Sequence, residues 1–581
     1  MSSRHMIGLV QLLALGAAAA VRSCNATSVC RSIPGDASWP SRREWDALNQ
    51  TVSGKLIATV PIASPCHDTA SVSGQSTAVS LFNQDACDTL RNNWYFPETH
   101  LPSSSSPMAY QFTNNSCNPF LGADTSCTLG YHVAYTINAT SVSDIQAAIS
   151  FVQKKNIRLV IRNTGHCYLG KSTGAHSLAI WTHYMKSLDL IEAYSGASNY
   201  KGPAIKIGAG VEGLEAYEFA HAHGLMVVGG NAPTVGIAGG YTQGGGIGLL
   251  SSKYGLAADQ VLEWEVVTGT GQFVTASPTQ NSDLFWALRG GGGGTYGVVV
   301  SMTVKAYTET AVSSAYLTVV NNGTNGDAIY GSLGTFLQLL PGLTDAGAWV
   351  VFVATPQAFL IMPAMAPGMA ASELDGYLQP FLDRLDQAGL TYTYSSADYA
   401  TYLDGYNFNS ATSTWNVSDN NLGNRLIPRS LVSDNSSTEA LVSAIRNISS
   451  QTIMSGVAFN VAGGVSSPDD VAVNPYFRET LFSATVGTTI DYTDFASNKA
   501  AQDEVTYEIV PQLKALTPNG AAYLNEADFQ EPDFKTAFYG SHYGKLLSIK
   551  NTYDPKNIFY AKTAVGSDLW EEGLDGRLCR K

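Results

Sequence analysis

At 581 residues the chain exceeds what one hydrophobic core ordinarily supports, so two or more domains are expected. Hydrophobic residues make up 45% and charged residues 14%, a globular balance with a sparsely charged surface. A net charge of −14 argues against nucleic acid and acidic membranes as partners, since phosphates would repel it, and leaves a neutral small molecule as the better fit.

The chain opens on Arg4 and His5, followed by an apolar Leu/Ala run over 6–21 with Ala18-Ala19-Ala20 as a small-residue cleavage site. This reads as a secretory signal over 1–20, too short to span a bilayer. N-x-S/T sequons at Asn25, Asn49, Asn114, Asn138, Asn322, Asn416, Asn435 and Asn447 suit a glycoprotein carrying N-linked glycans. Six of the eight cysteines, from Cys24 to Cys127, precede residue 130 and read as staples on an N-terminal arm over 21–127. Cys66 with Cys87 and Cys117 with Cys127 are the nearest plausible loops, and the full connectivity is open. Cys167 reads as a free buried thiol. No C-x-x-C pair is present, so no metal site is expected.

From Tyr131 strand and helix patterns alternate. Strands are expected over 131–137, 159–161, 204–209 and 298–303, with a hairpin of 261–267 and 272–275 around Thr268-Gly269-Thr270-Gly271. Helices are expected over 143–154, where Ile145, Ala148, Ile149 and Val152 share one face, and over 211–223. These make an α+β domain over 128–308. A second unit over 309–530 carries expected strands at 315–320, 349–354 and 359–363 and helices at 329–338 and 371–387. A final segment, 531–581, follows.

Three glycine-marked blocks stand out: Arg162-Asn163-Thr164-Gly165-His166, the stretch 229–248, and 283–289 running into Gly290 to Gly294. Without a Cβ, glycine lets backbone N–H groups approach a ligand closely. Several such loops at one site suit a large, flat, polyanionic cofactor, and His166 adds a nucleophile able to attach to it.

The run from Arg162 to Gly170 resembles the flavin-linking loop of the vanillyl-alcohol-oxidase and berberine-bridge-enzyme superfamily. Val235-Gly236-Ile237-Ala238-Gly239-Gly240 with Gly244-Gly245-Gly246 is similar to its second loop. Tyr254 to Asp259 and Trp286 to Gly292 match its third region, and Tyr553-Asp554-Pro555-Lys556-Asn557-Ile558-Phe559 resembles its C-terminal signature. The chain looks closest to the fungal isoamyl-alcohol-oxidase-like branch, although Ile247 stands where that branch is expected to carry histidine. The resemblance implies a two-part PCMH-type FAD domain under an antiparallel sheet backed by helices, with the C-terminal segment returning to the FAD domain. It implies FAD bonded through its 8α-methyl to His166, with contacts from Arg162, Asn163, Thr164, Gly165, Gly170, Val235, Gly236, Gly239, Gly240, Gly244, Gly245, Gly246, Arg289, Gly290, Gly291 and Gly297. Asp259 serves either the cofactor or a helix cap. Ala232 stands where doubly linked members carry a cysteine, so a single link is expected. Val235 matches the position that flanks the oxygen-reactive flavin carbon, and valine there resembles the oxidases.

For catalysis, Tyr523-Leu524-Asn525-Glu526 resembles a strand motif that places Tyr523 and Asn525 on one face toward the flavin. Tyr523 is then the candidate base. Tyr241 is a candidate contact to the flavin pyrimidine end. Glu526 and Asp528 are expected to face solvent. The expected function is a secreted, FAD-dependent alcohol oxidase using O2, without nucleic-acid or, after signal removal, membrane partners. The alternatives are an oligosaccharide oxidase or oxidative cyclase of the same superfamily, and a flavin-free secreted binding glycoprotein.

Overall fold

The computed structural model describes residues 30–412, 417 and 419–581. The expected signal segment, Cys24, Asn25 and Asn416 lie outside the described residues. Among the described residues no helix is long and apolar enough to cross a membrane.

The first sheet holds β1 (Leu56–Ala58), β2 (Tyr135–Asn138), β3 (Arg158–Arg162) and β4 (Ser177–Trp181) in the order β1-β2-β4-β3. β2, β4 and β3 run parallel, so β2 needs a crossover to reach β3, and the helix Val142–Lys155 supplies it. Ser141 caps that helix by accepting the Asp144 N–H, and Lys154 and Lys155 sit at its negative end. Its Ile145, Ala148, Ile149 and Val152 pack on Leu178 and Ile180 of the sheet.

The second sheet is antiparallel. Along this stretch run β5 (Leu188–Ile191), β6 (Ala204–Gly208), the short β7 (Leu225–Met226), β8 (Val261–Thr268), β9 (Phe273–Ala276), β10 (Gly297–Lys305) and the short β11 (Tyr307–Thr308). Five of them form the sheet in the order β5-β6-β10-β8-β9, while β7 and β11 pair with each other. The β8–β9 hairpin turns at the Thr-Gly-Thr-Gly sequence.

The third sheet has seven antiparallel strands: β12 (Val312–Val320), β13 (Trp349–Ala354), β14 (Ala358–Pro367), β15 (Tyr392–Tyr399), β16 (Asn420–Pro428), β17 (Ile453–Ala458) and β18 (Thr480–Thr489). Their order is β15-β12-β14-β13-β17-β18-β16. Strand alternation sorts its two faces. Val350 and Phe352 pack with Phe336 and Phe381 of the helices Gly326–Asp345 and Ala371–Gln387, whereas Trp349 and Val351 turn toward the first unit. The chain is thus α+β, a two-part domain facing an antiparallel sheet backed by helices.

Two sequence expectations need correction. Residues 523–526 form no strand: the Tyr523 N–H donates to Asn424 Oδ1, and the Glu526 N–H closes a turn on the Tyr523 carbonyl. The early cysteines do not staple the arm alone. Cys66–Cys87 and Cys117–Cys127 do so, but Cys30 bonds Cys579, which lies 549 residues away and joins the two ends of the fold.

A buried ion pair bolts the units together. Arg478, just before β18, makes a two-pronged bond to Asp259, at 2.9 and 2.8 Å, and Asp259 also accepts the Leu256 N–H. Gly255 and Gly464 cross beside it so closely that a Cβ on either would lie 2.7–2.8 Å from the other's Cα.

Arg478→Ala should destabilise by about 3–5 kcal/mol, because it strands the Asp259 carboxylate in the interior; denaturant unfolding that shifts by under about 1 kcal/mol would show a dispensable pair. Cys579→Ser should cost about 2–4 kcal/mol, read as a lower thermal midpoint in oxidising buffer that disappears when both proteins are reduced.

Candidate active site

A cavity of roughly 450 Å³ lies between the glycine loops and the inner face of the third sheet. Its floor is the loop after β3, the second glycine loop, and Gly293, Gly294 and Gly297 at the start of β10. Its roof is Trp349 and Val351 of β13, Leu422 of β16, Ser455 and Val457 of β17, and Thr485 of β18. The C-terminal region closes one side with Tyr523, Asn525, Glu526, Phe559 and Tyr560.

Two sides hold the histidine loop. From the sheet, the Asn163 amide donates to Thr182 Oγ1 at 2.9 Å, and Trp181 Nε1 donates to the Asn163 carbonyl at 3.1 Å. From the disulfide-stapled arm, the Met108 N–H donates to the Gly165 carbonyl. His166 lines the cavity with Nε2 2.7 Å from Thr234 Oγ1. Burial, with the nearby His100 and Arg162 charges, holds its imidazole down at about 3. The ring is therefore neutral and keeps a nucleophilic lone pair. Arg162 lies beneath, fully buried; its Nη2 donates to the His100 carbonyl, and burial pushes it down to about 9.

The glycine loops leave no room for side chains. A Cβ at Gly236 would lie 1.8 Å from Asn163 Oδ1, and one at Gly293 would lie 2.8 Å from the Gly240 Cα. The Gln243 carbonyl accepts the N–H groups of both Gly290 and Gly292, tying the third loop to the second. Asn163 Oδ1 and Gln243 Oε1 are buried acceptors without a partner. Lys171, also in the lining, forms no ion pair among the described residues. Unsatisfied acceptors, bare backbone, one unpaired ammonium and a neutral imidazole fit a flavin dinucleotide, which offers N–H and O–H donors, a diphosphate and an electrophilic methyl.

The structure gathers Asn163, Thr164, Gly165, His166, Val235, Gly236, Gly239, Gly240, Tyr241, Gly297, Tyr523 and Asn525 on this cavity. Others stand behind it. A Cβ at Gly170 would meet Phe112 and one at Gly244 would meet Asn525, while the Gly245 and Gly246 carbonyls accept the Ala258 and Ala257 N–H groups. Gly290 packs on Val473 and Gly291 on Tyr296. Arg289 donates to the carbonyls of Ala258 and Asp470, and Asp259 serves the Leu256 N–H and Arg478.

Although 523–526 is a turn, Tyr523 and Asn525 do meet: the Asn525 amide donates to Tyr523 Oη at 2.9 Å and to the Tyr241 carbonyl at 3.1 Å. The Tyr241 hydroxyl donates to the Ile247 carbonyl. Burial raises the pKa of both phenols, and among the described residues neither has a cation beside it. Glu526 and Asp528, expected in solvent, are not there. Asp528 is buried, and Glu526 turns into the cavity, where burial pushes its carboxyl up to about 7. Sequence reasoning also passed over Thr234 and Lys171, although both fall in or next to the quoted loops. Thr485 and Leu422 carry no sequence signal, because only sheet register points them inward.

Residues 133–277 match the family described as FAD binding domain, and residues 522–566 the family described as Berberine and berberine like. The FAD-linked oxidoreductase sor8 of Hypocrea jecorina is 43% identical over 566 residues, 97% of this chain and 95% of that protein. The bifunctional decalin synthase calF of Penicillium decumbens is 39% identical over 560 residues, 95% of each. The crystal structure of the VAO-type flavoprotein MtVAO615 from Myceliophthora thermophila C1 matches with a TM-score of 0.89 at 39% identity, covering 95% of this chain and 100% of that one. Full-length likeness of this degree, on a cleft built for a flavin dinucleotide, makes the chain an FAD-linked oxidoreductase of the vanillyl-alcohol-oxidase and berberine-bridge superfamily.

Proposed function

We propose that this FAD-linked oxidoreductase is a secreted oxidase that converts an alcohol to an aldehyde or ketone and releases hydrogen peroxide. The observation that carries the reading is the His166 imidazole, half-buried, held neutral by desolvation and set in the wall of a glycine-backed cleft. FAD held there would supply a hydride acceptor and a route for the electron pair to O2. His166 anchors it through a ring nitrogen bonded to the 8α-methyl carbon, for which the ring must be neutral. Ala232 lines the same cavity, and its methyl group forms no thioether, so the link is single. Bare backbone at Gly236, Gly239, Gly240 and Gly297 admits the cofactor, and Lys171 brings positive charge for its diphosphate.

Asn525 and Tyr241 hold the flavin edge, and the Tyr523 hydroxyl orients the substrate. The roof is mostly apolar, with Ser455 and Thr485 as its hydroxyls, which favours a substrate with a hydrophobic body and few polar groups, such as a secondary metabolite. Val235 in the lining leaves space for O2 where leucine would crowd it. Secretion is supported by the three disulfides and by sequon asparagines exposed at Asn114, Asn322, Asn435 and Asn447. The likeness to a decalin synthase favours a second reading, an oxidative cyclase that uses the same flavin chemistry to start ring closure. A panel of alcohols, sugars and polyene metabolites, scored for peroxide and product structure, separates the two.

His166→Ala should release its flavin on acid precipitation and turn over more slowly; a pellet that stays yellow would place the bond elsewhere. Val235→Leu should slow peroxide formation while leaving turnover with an artificial electron acceptor intact; equal losses with both acceptors would remove the gate.

A further inference from the structure

The active-site cavity contains one carboxylic acid among its described lining residues, Glu526, which ends the Tyr523-Leu524-Asn525-Glu526 run and which the sequence pattern places in solvent. Glu526 sits at the end of the tight turn 523–526, in which its own N–H donates to the Tyr523 carbonyl at 3.0 Å. Asn525, the preceding residue, is pinned to the Tyr241 carbonyl. These bonds fix the turn, and from it the carboxyl points across the cavity to Thr485 Oγ1 on β18, 3.4 Å away. Glu526 thus lies at the seam between the glycine loops and the sheet roof.

Three phenols face it: Tyr168 from the histidine loop, Tyr241 from the second loop and Tyr523 from its own turn. The pKa of each is raised by burial, and further by the negative charge on Glu526. Among the described residues no lysine or arginine forms an ion pair with it, and the other ionisable groups of the lining, His166, Cys167, Lys171 and Tyr560, do not bond it. Among the described residues Thr485 is its one side-chain hydrogen-bond partner, and a desolvated carboxyl with so little compensation is poised between its acid and its anion near neutrality, at about 7.

We propose that Glu526 is the catalytic base of this enzyme, its carboxylate taking the hydroxyl proton of the alcohol as the carbinol C–H hydride passes to the bound flavin. The assignment rests on the alcohol-oxidase reading above. The O–H and C–H bonds break, the carbonyl π bond and the Glu526 O–H bond form, and the electron pair leaves with the hydride. Glu526 then gives up its proton as O2 takes that proton and the hydride to become H2O2, which restores the carboxylate. Tyr523 is the positioning residue in this scheme. Its oxygen already accepts the Asn525 N–H, and with a carboxylate beside it and no cation near, ionising the phenol is the more costly route.

The test uses holoenzyme. Glu526→Gln should retain acid-stable flavin at the wild-type ratio and lose kcat by a factor of about 10²–10⁴, with a smaller change in KM. Because the anion is the working form, wild-type kcat should rise with pH through about 7 and level off, and Glu526→Gln should lack that limb. Tyr523→Phe should keep the limb. Independently of any substrate, raising the pH through about 7 should bleach a carboxylic-acid C=O band in the infrared difference spectrum of the wild type, and Glu526→Gln should lack that band. Should the glutamine variant fail to accumulate, Glu526→Asp, which keeps an ionisable carboxyl, and the wild-type infrared titration carry the same test. A Glu526→Gln enzyme at the wild-type rate, a pH limb lost in Tyr523→Phe rather than Glu526→Gln, or no titrating band would each overturn the assignment. Absence of peroxide from every alcohol would instead overturn the oxidase reading, leaving the infrared result to decide the carboxyl alone.

Discussion

Everything at the centre of this protein depends on polypeptide backbone meeting polypeptide backbone without side chains between. Gly240 and Gly293 pass so closely that a single methyl on Gly293 would overlap the opposing Cα, and the carbonyl of Gln243 gathers two N–H groups of the third loop into the second. The loops come from distant parts of the chain, and neither could hold its shape in water by itself. Each is held by the other and by the strand that feeds it. A cleft walled in this way offers a ligand peptide dipoles and little steric bulk, which suits a wide, charged, planar molecule better than a flexible one.

The electrostatics of the cleft follow from burial more than from charge pairing. His166, Arg162, Glu526 and the cavity tyrosines are all shifted toward their neutral forms, with desolvation as the leading cause in each case. Strong ion pairing is placed elsewhere: Arg478 with Asp259 locks the two units, and Lys550 with Asp554 braces the C-terminal segment. This division leaves the Glu526 carboxyl without an ion-pair partner among the described residues, so desolvation sets its acidity.

Much of the first unit was legible because its signals are local. The helix Val142–Lys155 carries a four-residue apolar face and a serine cap, and the β8–β9 hairpin carries its own turn residues, so both can be read without neighbours. The second unit was harder. β16 opens on Asn-Asn-Leu-Gly-Asn, poor strand formers, and is a strand because β18 pairs with it along its length and Ser483 accepts its Asn424 amide. Arg289 and Asp259 look like cofactor residues in a motif, yet their partners in three dimensions are other parts of the protein.

By itself the sequence determined the family, the FAD-type cleft and the imidazole on its wall, because those rest on short runs whose glycines and histidine have few other uses. Only the tertiary structure decided which glycines line the cavity and which pack behind it, that Cys30 finds Cys579, and that Glu526 turns inward. The reason is the same in each case. A residue's neighbours across sheets and loops are set by register, turn closure and burial, quantities that belong to the folded chain as a whole and leave no trace in the few residues on either side.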